Sequence, residues 1–225
     1  MSDQKPQMLI SYMLLRKLIG CLGILLPIIL VFGAFASNCQ TIQGSISDYY
    51  HTEMRNIFVG ILCAVALFMF TYKGYDKRDA IAGNLACFFA LGVAFFPTSV
   101  DASSLCTTDC AENCITYGEW IKIVHFTSAA LFFSVLIYFS LFLFREPRKR
   151  SVALPEAKRK RNFVFKVCGY VMVFCVFAIA LYHFVLIDNF PELAQLNLVF
   201  WFEVIALWAF GISWLTKGQF VLKDN

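Results

Sequence analysis

Residues 198–216 read LVFWFEVIALWAFGISWLT, nineteen residues with a single charge, at Glu203. As a helix rising 1.5 Å per residue the segment is about 28 Å long, close to the roughly 30 Å hydrocarbon core of a bilayer. Its apolar residues show no strict alternation, which argues against a membrane β-strand. Five further apolar runs, at about 18–36, 57–72, 80–99, 120–144 and 163–187, repeat the pattern, with the second the shortest. The chain is 60% hydrophobic and 15% charged, against about 25% charged in soluble domains. Its mean hydropathy is +0.69. Lipid is therefore the expected solvent, and helices satisfy their own backbone groups there. The expected fold is all-α: a polytopic transmembrane bundle of six helices forming one domain over residues 1–225.

Lys and Arg give the bundle a direction. Of 19 such residues, 17 fall at the N-terminus, in 73–78, in 145–166 or at the C-terminus, leaving only Arg55 and Lys122 on the other side. The positive-inside rule then puts both termini and the basic loop 145–162 in the cytoplasm. That loop carries REPRKRSVALPEAKRKR from Arg145 to Arg161. It reads as a topology anchor attracted to anionic lipid. A nucleic-acid role would need a folded basic surface, so nucleic acid is excluded as a partner and membrane lipid is expected. Ala34-Phe35-Ala36 looks like a signal-peptidase site, but the stretch before it is long and contains Pro27. It is read as a retained helix.

The outer side then consists of loops 37–56 and 100–119. They hold Cys39, Cys106, Cys110 and Cys114, while Cys21, Cys63, Cys87, Cys168 and Cys175 sit inside helices. Four cysteines in an oxidising compartment suggest two disulfides, with three connectivities open. The C-x-x-x-C-x-x-x-C spacing matches zinc sites poorly. Ala82, Ala86, Ala90 and Ala94 put a small residue every four positions along the third helix, which suits close helix packing.

Ionisable groups inside a bilayer are costly and point to function. His125 lies six positions into the fourth helix from Glu119, about 9 Å deep at 1.5 Å per residue. His183 lies five positions before Asp188, and Glu203 about five into the sixth helix. His51 and Asp48 stand at the outer surface before the second helix. All share one outer layer, and the cytoplasmic half holds no comparable set. Three imidazoles, His51, His125 and His183, are chemically sufficient for zinc with an open water position. Ser47 and Asp101 are candidate supporting groups. The competing reading of each His is a hydrogen bond across helices. Arg55 opens a helix, where positive charge opposes the dipole. Asp48, Glu53 or an anionic headgroup is expected to compensate it, which makes Arg55 a candidate phosphate ligand.

The segment SISDYYHTEMRNIFVGIL, with Ser47, Asp48 and Arg55, resembles the first-loop signature of the FRAG–DRAM–SFK superfamily. VHFTSAALFFSVLIY, carrying His125, resembles its His-bearing helix. The chain is closest in look to bacterial six-pass membrane proteins of a domain of unknown function. That resemblance implies a cell-membrane protein linked with lipid, with Ser47, Asp48, Arg55 and His125 at motif positions. The Ser-x-x-x-His element is also similar to the alkaline-ceramidase zinc hydrolases, but the chain lacks their late His-x-x-x-His pair and has one helix fewer. The leading expectation is a protein acting on outer-leaflet lipid, as a hydrolase or remodelling factor. A proton- or cation-coupled transporter and a non-catalytic organiser are the alternatives. The absence of internal repeats speaks against transport.

Overall fold

The computed structural model describes residues 4–37, 39, 41–72, 74, 76–98, 118–145, 156–186 and 189–220. Six helices account for most of them: α1 (Gln4–Ala36), α2 (Arg55–Thr71), α3 (Lys77–Phe95), α4 (Glu119–Tyr138), α5 (Glu156–Leu181) and α6 (Leu198–Lys217). Wider π-turns extend α4 through Phe139–Leu143 and α5 through Tyr182–Leu186. Five of the helices are long and apolar enough to cross a membrane. The sixth, α2, has 17 residues, the lower end of the spanning range. The chain is an all-α, integral membrane protein.

The helix ends differ from the expected apolar runs for local reasons. α3 stops at Phe95 rather than near 99 because Pro97 follows, and Phe96 takes extended angles (φ −110°, ψ 98°), as a residue before proline prefers. At its start, the Asp79 carboxylate accepts from the Asp76 N–H at 3.1 Å in a capping box. α1 and α5 begin several residues before their apolar runs, and Pro27 lies inside α1 without ending it.

Each helix packs beside its neighbours in sequence, and α6 closes the ring onto α1. The α1–α6 crossing is tight at two glycines. A Cβ on Gly211 would stand 2.7 Å from the Gly20 carbonyl oxygen, and one on Gly20 2.8 Å from that of Gly211. α6 is the most enclosed span. Ala82, Ala86, Ala90 and Ala94 are all buried, as a small-residue packing stripe requires. Ser140 ties three helices together: its hydroxyl donates to the Phe165 carbonyl at 3.0 Å and lies 2.8 Å from Ser213 Oγ.

The segment between α1 and α2 folds down over one end of the ring. Cys39, Ile46, Tyr49, Tyr50 and Met54 pack into a cluster with Leu26, Phe58, Val93 and Phe200. A short 3-10 turn, Ser47–His51, sits at its centre. Backbone bonds fix it to the start of α6: Phe200 N–H donates to the Gly44 carbonyl at 3.0 Å, and Asn197 Nδ2 to that of Ile42 at 3.2 Å. This plug was expected as a polar, aromatic loop lying at the membrane surface. Its apolar residues at 46, 49, 50 and 54 make it part of the core instead.

Candidate functional site

Under the plug, where α1, α2, α3, α4 and α6 converge, lies a cavity of about 50 Å³. Its walls are mostly apolar, including Leu26, Phe58, Leu62, Val93, Phe132 and Leu207. Three chemically competent side chains interrupt them: Ser47 from the plug, His125 from α4 and Glu203 from α6. A few waters, or one small reacting group, fit such a volume.

Each polar group is held from outside the cavity. Ile46 N–H donates to Glu203 Oε2 at 2.5 Å, so the plug backbone orients that carboxylate. The Ser47 hydroxyl lies 3.2 Å from that of Ser45, whose oxygen also accepts from Asp48 N–H at 3.1 Å. His125 is 2% exposed, and its Nδ1 stands 2.6 Å from the Phe96 carbonyl oxygen. The same imidazole interacts with the Val93 carbonyl. That oxygen would normally accept from the N–H four residues on, but residue 97 is proline and has none. His125, with its Nδ1 on the Phe96 carbonyl, is the polar side chain beside it.

The neighbouring Thr98 is gripped from the plug. His51 Nε2 donates to its carbonyl at 2.7 Å, and Thr98 Oγ1 donates to Asp48 Oδ1 at 3.1 Å. Asp48, His51 and His125 thus converge on the three residues that follow α3. Burial, the largest influence on Asp48, lifts its carboxyl above the usual range, against lowering by Ser45, Thr98 and His51. Burial likewise pushes the His51 imidazole below its ordinary value, partly offset by the Thr98 carbonyl and Asp48. Both groups are driven toward their neutral forms.

Three expectations need correction. The imidazoles do not assemble a zinc site: His51 and His125 bind different carbonyls, and the His183 ring packs 5.6 Å from Phe126. Among the described residues no three His, Cys, Asp or Glu side chains are grouped to hold a metal. His183 is exposed on α5 and is not among the cavity-lining residues, although Asp48 lies within electrostatic reach of it. Among the described residues Arg55 is partnered by an aromatic ring rather than by a carboxylate. Its guanidinium carbon stands 4.4 Å from the Tyr50 ring centroid, and Nη2 donates to the Tyr50 hydroxyl at 2.7 Å.

Asp101, Cys106, Cys110 and Cys114 lie outside the described residues. Among those described, no two cysteines stand at disulfide distance. Cys21, Cys63, Cys87, Cys168 and Cys175 carry free thiols, and Cys39 is buried with Gln43 Nε2 3.2 Å from its sulfur. Sequence reasoning missed Thr98, Ile46 and Tyr50. The Phe96-Pro97 pair was the available signal for the first, because it marks where α3 ends and frees a carbonyl. Compared with family models, curated proteins and solved structures, the chain finds no match.

Proposed function

We propose that this protein acts on membrane lipid from the side its plug faces, through the cavity that brings Ser47, His125 and Glu203 together. An apolar pocket with a few convergent polar groups is the usual form of a binding or reaction site. At about 50 Å³ it suits the reacting ester of a lipid, with the acyl chain lying outside in the bilayer. His125 and Glu203 are then the acid–base pair, and Ser47 is either nucleophile or ester ligand. The metal-dependent form of this reading is dropped, since the imidazoles are dispersed. In the same reading the plug faces outward from a bacterial inner membrane, a setting supported by the 17-to-2 division of Lys and Arg. Cys39 is paired there with one cysteine of the 106–114 cluster. The superfamily resemblance carried by Ser47, Asp48, Arg55 and His125 favours a lipid role as well.

The test is turnover of defined phospholipids and acyl lipids by the protein in nanodiscs, followed by mass spectrometry. Wild type should generate a cleaved or transferred acyl product that His125→Gln and Glu203→Gln each reduce by at least about 100-fold. Product formation that both variants leave unchanged overturns the reading. The backbone bonds of His51 and His125 favour a second reading, a non-catalytic organiser in which the polar layer is structural. It predicts that the same variants alter melting temperature and nothing else.

A further inference from the structure

A serine hydroxyl is a weak nucleophile until a base takes its proton. The cavity holds Ser47 beside His125 and Glu203, yet among the described residues the Ser47 hydroxyl is hydrogen-bonded to neither. Its partner is the Ser45 hydroxyl, 3.2 Å away inside the plug. His125 is engaged elsewhere through Nδ1 on the Phe96 carbonyl, and Glu203 accepts from the Ile46 N–H.

The bonds around Ser45 take their directions from what each partner can give. Ser45 Oγ accepts from the Asp48 N–H at 3.1 Å. The Asp48 carboxylate lies against the same residue: the Ser45 hydroxyl and backbone N–H both act on it as hydrogen-bond donors. A Cβ on Gly44 would stand 3.2 Å from its Oδ2. An ionised carboxylate only accepts, so the Ser45 proton points to Asp48, and a second Ser45 lone pair is open to the Ser47 proton. A chain of donors therefore runs from Ser47 in the cavity through Ser45 to Asp48. Thr98 Oγ1 fixes its far end, donating to Asp48 Oδ1 at 3.1 Å. Ser45 and Ser47 are buried, whereas Asp48 is half-buried. Burial raises the Asp48 carboxyl above its ordinary value, which makes its carboxylate a stronger base than one at the surface.

We propose that Ser47 is the nucleophile of the cavity, and that Ser45 and Asp48 are the relay that takes its proton. Ser47 Oγ bonds to the ester carbonyl carbon while its proton passes to Ser45 Oγ and the Ser45 proton passes to the Asp48 carboxylate. The ester C–O bond breaks, and the alcohol leaves with a proton from the His125–Glu203 pair. Water then attacks the acyl-serine and returns a proton to that pair, and Asp48 reprotonates Ser47 through Ser45. Ser45 and Asp48 act through Ser47 as positioning residues. The substrate in this scheme rests on the lipid-processing reading; the activation of Ser47 does not.

The test uses a small dialkyl fluorophosphate, which phosphorylates an activated serine and displaces fluoride. It is reacted with the full chain in nanodiscs, and peptide mass spectrometry follows the label. Wild type should be labelled at Ser47, faster as pH rises through the ionisation of Asp48. The ionisable groups facing Asp48 among the described residues are His51 and Tyr49 in the plug, His183 on α5 and Glu203 on α6. Asp48→Asn assigns the pH limb: it should slow labelling and flatten its pH dependence. Ser45→Ala should slow labelling by about 100-fold, the scale of general-base catalysis. Ser45→Thr keeps the hydroxyl and should restore it. Should Ser45→Ala fail to fold, the Asp48→Asn pH profile decides. A wild type unlabelled at Ser47 overturns the proposal, as does labelling that Ser45→Ala or Asp48→Asn leaves at the wild-type rate. Ser45-dependent labelling without lipid turnover upholds the relay and sinks the lipid-processing reading. Lipid turnover that Ser45→Ala and Ser47→Ala leave intact does the reverse.

Discussion

Pro97 has no N–H to offer the Val93 carbonyl, and the His125 imidazole interacts with that oxygen as well as with the Phe96 carbonyl it donates to. A double-mutant cycle separates this service from any chemistry. His125→Ala should lower stability by about 1–3 kcal/mol, the cost of orphaned buried carbonyls. In a Pro97→Ala background, where the N–H returns, the same change should cost measurably less. Thermal unfolding in detergent reads both, and equal costs in the two backgrounds would sink the idea. His51 and Asp48 respond to pH in opposite senses. His51 is held below its ordinary value near 6.5; its contribution is whole above that pH and is lost as pH falls through the depressed value. Asp48 is held above its ordinary value of 3.8; its contribution is whole below that pH and is lost as pH rises through the raised value. Melting temperature against pH should therefore lose its acid-side decline in His51→Gln and its decline on the rising-pH side in Asp48→Asn.

At the scale of elements, glycine separates tight contacts from open ones. Gly211→Val should destabilise the α1–α6 crossing by about 1–3 kcal/mol, since even a Cβ there meets the Gly20 carbonyl oxygen at 2.7 Å. Gly60 on α2 has no atom within 4 Å of its would-be Cβ, so Gly60→Ala should leave the melting temperature equal or slightly raised. The helices themselves were legible in the sequence because each apolar run had to bridge the same thickness of hydrocarbon. The layer holding His125 and Glu203 was legible too, because depth follows from counting residues at 1.5 Å. Azimuth does not follow from that count. His183 shares the depth of His125 but stands exposed on α5, which contributes nothing to the cavity lining. Arg55 was referred to a carboxylate or an anionic headgroup because charge is visible in a sequence, whereas the nearby Tyr50 face becomes a partner only once the plug has folded. The plug was hidden by its polar residues, although Ile46, Tyr49, Tyr50 and Met54 were there to be weighed.

The whole molecule is polarised along its axis. One end is capped by a folded plug over a cavity, and the other is crowded with cations among aromatic rings. If the positive-inside rule governs its insertion, trypsin should cut the 145–161 segment in inverted membrane vesicles and spare it in intact spheroplasts. Cleavage in spheroplasts would reverse the orientation. Alkylation of intact protein under non-reducing conditions tests the outer cysteines in the same preparation. Thiols in the 106–114 cluster and at Cys39 should resist modification until a reductant is added, and free labelling of all four would rule their pairing out.

One consequence of the ring concerns how it is made. The helix that fits most deeply among the others is α6, the last of the six in chain order, and it seals against α1, the first. Without α6 the other helices would surround an unfilled groove, and the Gly20 face of α1 would lack the partner it meets at Gly211. The Ile46 N–H and the Gly44 carbonyl of the plug also wait for Glu203 and Phe200. α6 is in that sense a keystone: the cavity, lined in part by its Glu203 and Leu207, is complete only once this helix has packed.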